Sequence, residues 1–281
     1  MPDFSPEYLS DDAFRLYAHY GVNSMMIYGD VLCYANSTIL TEASPLADGR
    51  SLRGRRRHTS RGSMDIVSAP RFDQLISAVT EGLARLPGVE AQQRMAPQPR
   101  GGWKPGFAPD DARPAAALLL LFPTNGEATV LLTKRASALP QHGGQESLPG
   151  GAVDPGEDIE AAALREAQEE VGLAPGLVSI VGRLTPVHIP VSGFVLYPVV
   201  GFASTRPATT AEAGEVDRII DVPVAHLLDP ARHRRMMRVR DGLEIDVPYF
   251  DIDGEQVWGA TAMVLAEFAA VLGAQVEPAP R

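Results

Sequence analysis

The sequence predicts an α/β fold, and three observations carry that prediction. Residues 115–122 and 128–133 are apolar runs of strand length joined by the turn residues Thr124, Asn125 and Gly126, which reads as a β-hairpin. A helical segment follows between Asp158 and Gly172, with alanine and leucine in its interior. Residues 177–181 and 195–202 then return to strand character, and a last helix carries Met263, Val264, Phe268 and Leu272.

Composition narrows what the fold can do. A chain of 281 residues has room for one large domain or two small ones, and 45% hydrophobic content is ample for a core. A net charge of −10 argues against nucleic acid as a partner, because contact with a phosphate backbone needs a basic surface. An anionic small molecule must then be met by a local basic cluster or a metal. The single Cys33 excludes an intrachain disulfide and a cysteine-based zinc site. No run approaches the length of a membrane span and no signal peptide opens the chain, so a cytoplasmic protein without a membrane partner is expected. Lys104 and Lys134 are the only lysines, which reads as composition bias. Oligomeric state is left open, a homodimer included.

Taken in order, residues 1–63 stand apart. They hold Cys33 and five of the seven tyrosines, show no sustained period, and end in the basic run SLRGRRRHTSRGS. An appended arm for nucleic acid or a membrane surface is one reading. A solvated extension, or a non-native block with the true start at Met64, suits the missing periodicity better. Residues 64–110 are expected to form an N-terminal helix and a linker. Phe72, Leu75, Ile76, Val79, Leu83 and Leu86 recur at helical spacing before Pro87-Gly88, and residues 91–113 read as a linker or a strap over the surface. Trp103 within it reads as a packing contact. Residues 111–274 form the principal domain.

The second hairpin strand delivers Lys134 and Arg135 directly upstream of the next turn. His142 and Gln145 follow, with His142 read as a loop-stabilising hydrogen-bonder, and then Gly150 and Gly151. Two successive glycines permit a tight turn and bring backbone carbonyls near a bound ion. On the helix, Glu166, Glu169 and Glu170 share roughly 100° of arc. Three carboxylates so placed repel one another, and a hard divalent cation held through oxygens would offset that. Glu157, eight residues before Arg165, is placed to pair with its guanidinium and lock the loop to the helix. Asp158 is read as the N-cap and Gly172 as the helix terminator.

Residues 148–173 resemble the signature of the Nudix hydrolases, G-x5-E-x7-R-E-U-x-E-E-x-G-U with U bulky and apolar. Gly151, Glu157, Arg165, Glu166, Glu169, Glu170, Gly172 and Leu173 fit it, while Ala167 is small where U is expected. The resemblance implies an α/β/α sandwich around a mixed central sheet, with the signature loop and helix at the sheet edge. It also implies Mg²⁺- or Mn²⁺-dependent hydrolysis of a nucleotide-linked diphosphate. In that reading Glu166 and Glu170 hold the ion, with Glu169 and Gly151 completing the site. Glu169 or Glu215 takes a proton from water. Lys134 and Arg135 bind phosphate oxygens, and Gly150, Glu157 and Arg165 support the site.

The stretch from Leu131 to Arg135, then Leu139, His142, Gly144, Gln145 and residues 149–151, is similar to the coenzyme A diphosphatase branch. Residues 185–201 resemble it again, notably Ser192-Gly193-Phe194. Glu146 and Leu148 depart from that branch, which has an aliphatic residue and Phe there. Coenzyme A or an acyl form is the implied substrate, with ADP-ribose, NADH or another nucleotide diphosphate as alternatives. A non-catalytic nucleotide sensor is the reading from another class. Downstream, Glu215 is a candidate carboxylate reaching the site from a loop, and His226 reads as structural. The run at 232–240, RHRRMMRVR, reads either as a steering patch or as a solvated strand edge.

Overall fold

A computed structural model describes residues 72–138, 143–240 and 242–278. The block 1–63 with Cys33 and its tyrosines, the start at Met64, Leu139 and His142 lie outside the described residues.

The apolar run becomes β1 (Arg113–Thr124), joined to β2 (Glu127–Arg135) by Asn125 and Gly126, both at positive φ. That two-residue turn matches the twist of its flanking strands. β1 is buried on both faces, which explains its unbroken hydrophobicity. Ala115, Ala117, Leu119 and Leu121 face one cluster, while Ala116, Leu118, Leu120 and Phe122 face another. β1 also runs parallel to β7 (Phe194–Phe202) and antiparallel to β2, so the sheet is mixed.

The hairpin strands stay paired only near their turn, from Leu121↔Val130 to Thr124↔Glu127. Beyond it they part, and β3 (Glu146–Ser147) pairs with β2 while β4 (Gly150–Ala152) pairs with β1. The glycine turn therefore enters the middle of the sheet. β5 (Ser179–Arg183) and β6 (Val187–Ile189) pair with β7, and β8 (Val216–Pro223) pairs with β2. β6 and β8 are strands that the sequence reading did not assign.

Helix α3 (Ile159–Val171) packs through Ala162, Ala163, Ala167 and Val171 against the second face of β1. It lies over β1, β4 and β7 rather than at the sheet edge, because alanines let it approach the central strand. The small Ala167 belongs to this contact and is fully buried. Asp158 occupies the N-cap position without a side-chain cap, and Gly172 closes the helix at φ 64°, its amide donating to the Gln168 carbonyl at 2.9 Å.

On the opposite face lie α1 (Phe72–Leu83) and α5 (Gly259–Val271), which complete the α/β/α sandwich. α1 stops at Leu83, so Leu86 falls outside the helix and is 39% exposed. The segment that reads as a linker holds the short helix α2 (Val89–Gln93), buries Met95 and Ala96, and packs Trp103 into the same core. After the short helix α4 (Val224–Leu228), a smaller antiparallel sheet of β9 (His233–Arg240), β10 (Leu243–Ile252) and β11 (Glu255–Trp258) leads into α5.

One buried acid ties elements of this opposite face together. Glu267 on α5 is fully buried and accepts from Gly88 N at 3.1 Å, Gln92 Nε2 at 2.8 Å and Thr185 Oγ1 at 2.6 Å. Among the described residues no helix is long and apolar enough to cross a membrane.

Candidate active site

The parting of β1 and β2 brings the glycine turn beneath α3. Gly150 presses against β1 so closely that a Cβ would lie 2.4 Å from the Ala116 carbonyl oxygen, and only glycine fits. Gly151 faces the helix. The loop after it is closed by Arg165, whose Nε and Nη2 donate to the two oxygens of Glu157 at 2.9 and 3.0 Å. Nη2 also reaches the Ala152 carbonyl at 3.0 Å, and Nη1 reaches Glu166 at 2.9 Å and Glu169 at 3.1 Å. A planar guanidinium can span these partners where an ammonium cannot. The Glu157–Arg165 fork locks the loop to the helix, and the salt link holds the Glu157 carboxyl below the usual carboxylate range.

The three helix carboxylates do not share one environment. Glu166 and Glu170, one turn apart, are fully buried on the alanine face, while Glu169 on the helix shoulder keeps 47% of its side chain exposed. One oxygen of Glu166 and both of Glu170 are buried without a hydrogen-bond donor. Burial pushes the Glu166 carboxyl up to about 7 against the pull of Arg165, with Glu169 and Glu215 adding to the rise. Burial also raises Glu170 well above its ordinary value, helped by Glu166 and Glu215 and opposed by the charge of Arg135 and by the nearby Gly150 amide, which falls short of hydrogen-bond geometry.

The charge of Glu215 acts on this pair because its loop docks on the end of α3. Thr210 N donates to the Val171 carbonyl and Glu212 N to the Glu170 carbonyl, each at 2.9 Å. Arg135 lies on the same face of β2 as Leu131, which packs toward α3, and its charge acts on Glu170. Lys134, one residue earlier, takes the opposite face. It is held by Glu255 at 2.5 Å and by Glu146 at 3.4 Å. The two basic residues are thus adjacent in sequence but divided by the sheet. The run 232–240 sits on the small sheet, where Arg232 pairs with Asp253, Arg235 with Asp246, and Arg238 stacks on Trp258. His226 contacts Arg232.

Among the described residues no three His, Cys, Asp or Glu side chains converge on one point, and Arg165 bonds both Glu166 and Glu169. The donor set nevertheless fits a hard divalent cation: three buried carboxylate oxygens lack donors beside a glycine backbone. Sequence reasoning did not single out Glu255 or Glu267, which lie far along the chain from the partners they hold.

A split mixed sheet with a carboxylate-bearing helix over its central strand defines a recognisable class. The model of the NUDIX domain matches residues 112–238, and the chain belongs to the Nudix hydrolase family. It is 40% identical over 165 residues to the uncharacterized Nudix hydrolase NudL of Cronobacter sakazakii, covering 56% of this chain and 82% of that one. It is 38% identical over 159 residues to the NudL of Salmonella newport, with the same coverage. Among solved structures, the Nudix hydrolase RenU of M. smegmatis is 30% identical, with 41% of this chain and 73% of that chain covered at a TM-score of 0.36.

Proposed function

We propose that this chain hydrolyses the diphosphate bond of a nucleotide-linked substrate with Mg²⁺ or Mn²⁺. Coenzyme A or an acyl-coenzyme A is the leading substrate, giving adenosine 3′,5′-bisphosphate and 4′-phosphopantetheine or its acyl form. The observation that carries the chemistry is the set of donor-less carboxylate oxygens buried on Glu166 and Glu170. These two residues would hold the cation, with Glu169 and the Gly151 backbone completing the site. When bound, the cation neutralises the diphosphate and acidifies a water. Glu169, half-exposed, or Glu215, on the loop docked to α3, would accept a proton from the attacking water. Arg165 and Glu157 keep the carboxylates in place, and Arg135 meets phosphate oxygens.

Coenzyme A is favoured by the resemblance of residues 131–151 and 185–201. One observation favours a diphosphate without a further phosphate, such as ADP-ribose or NADH: Lys134 is already taken up by Glu146 and Glu255. The test is a panel of coenzyme A, dephospho-coenzyme A and ADP-ribose with each metal, products being identified by mass. A charge-assisted contact is worth about 1.5–3 kcal/mol, roughly one to two orders of magnitude. Arg135→Ala should lower kcat/KM by that factor on all three substrates. A residue reading the 3′-phosphate would shrink the preference for coenzyme A over its dephospho form when changed to Ala. If ADP-ribose is the best substrate, the coenzyme A assignment is wrong.

A further inference from the structure

Glu255, on β11 of the small sheet, reaches two cations of the large one. Lys134 Nζ lies 2.5 Å from its Oε2, and Arg218 Nη2 donates to its Oε1. Those cations stand opposite each other, because Lys134 on β2 pairs in register with Arg218 on β8. Like charges facing across an antiparallel pair are destabilising. A carboxylate between them removes the conflict. Glu146, buried on β3, is the cross-strand partner of Lys134 on its other side. Burial and the neighbouring Glu255 push the Glu146 carboxyl up, while Glu146 and Lys134 beside it hold Glu255 below the usual carboxylate range.

The cluster sits where the β2–β8 ladder slips. Lys134 faces Arg218 but Arg135 faces Val216, which leaves Asp217 bulged, its carboxylate accepting from Ser137 N at 2.8 Å and Ser137 Oγ at 2.7 Å. Ala136 N donates to the Glu215 carbonyl at 2.9 Å just beyond. A bulge disrupts pairing locally and re-aims side chains. Both Arg135 and Glu215, whose charges act on Glu170, leave the sheet at this point.

We infer that Glu255 is a positioning residue: it pins the Lys134–Arg218 pair and thereby fixes the strand ends that present Arg135 and Glu215 to Glu166 and Glu170. The inference rests on reading those carboxylates as the reaction centre. The experiment compares wild type, Glu255→Gln and Glu255→Gln/Arg218→Gln as full chains. Amide hydrogen exchange over segments containing 135–137 and 215–217 is measured without metal or substrate, and kcat and KM on the best diphosphate are measured separately. Glu255→Gln should exchange about tenfold faster in those two segments and not in α1. Its kcat should fall by roughly 10- to 100-fold, as for a misplacement of about 1 Å, with KM little changed. The double variant, freed of the Lys134–Arg218 repulsion, should regain both. Unchanged exchange in Glu255→Gln, or a double variant that regains neither property, overturns the inference. If Glu255→Gln does not fold, the double variant must, and its failure to fold counts against the proposal. Should wild type cleave no diphosphate, the reading of the centre fails, while the exchange measurement still judges the positioning role.

Discussion

Gly151 stands against the carboxylate of Glu166: a Cβ built on its backbone would lie 2.5 Å from Cδ and from both oxygens. The glycine is needed here for space, since its φ is not in the left-handed region. Glu166 is fixed from the other side by Arg165 at 2.9 Å, so it has little room to retreat. Gly151→Ala should therefore displace Glu166, weakening Mn²⁺ binding and lowering kcat by roughly 100-fold. Titration of Mn²⁺ by paramagnetic resonance beside the kinetics checks this. Unaltered Mn²⁺ affinity would show that the contact relaxes without consequence.

The buried carboxylates set a pH dependence of stability. Glu166 has a folded pKa of about 7 against an ordinary value of 4.5, so the folded state binds its proton more tightly. Its contribution is complete below the ordinary value and is lost as pH rises toward 7, a change on the order of 3 kcal/mol. Glu170 and Glu146 act with the same sign. The chelator-treated protein should melt lower at pH 8 than at pH 5.5, and Mn²⁺ at pH 8 should recover the loss. Glu170→Gln should raise the chelator-treated melting temperature at pH 8 while abolishing most turnover. A melting temperature that climbs from pH 5.5 to 8 in chelator would contradict this account.

Glu267 is a structural acid. Its carboxylate gathers the Gly88 amide, the Gln92 side chain and Thr185 onto α5 in a fully buried place. Glu267→Ala leaves the Gly88 and Thr185 donors without an acceptor and Gln92 Nε2 with the Thr185 carbonyl alone, and each buried unsatisfied group costs about 1–3 kcal/mol. Urea unfolding should show a loss of at least about 2–3 kcal/mol, with kcat of the folded fraction unchanged. A loss under about 1 kcal/mol would mean that water replaces the carboxylate.

A chain beginning at Met64 should fold and hydrolyse as the full chain does. Every core contact described begins at or after Phe72, with Leu75 and Val79 the first fully buried side chains. Matched unfolding curves and kcat/KM for the two lengths check the point; a truncated chain that precipitates would place residues 1–63 in the domain.

The hairpin, the carboxylate helix and the terminal helix were legible in the chain because each is specified by neighbours in sequence. Asn125-Gly126 encodes its own turn, and alanines at 162, 163 and 167 sit one helical turn or one residue apart, so periodicity reveals both. The Arg165–Glu157 pairing was legible for a similar reason, since a short loop keeps its ends close. β6 and β8 were not, because short or half-exposed strands carry little pattern of their own and form where β7 and β2 offer free edges. Only the tertiary structure decided which carboxylates are buried: Glu166, Glu169 and Glu170 share an arc, yet packing of the alanine face on β1 buries two and leaves the third half-exposed. It also separated Lys134 from Arg135. Strand alternation turns the two to opposite faces, but what waits there, Glu255 from a second sheet and Glu170 from a helix, comes from parts of the chain that only folding brings near.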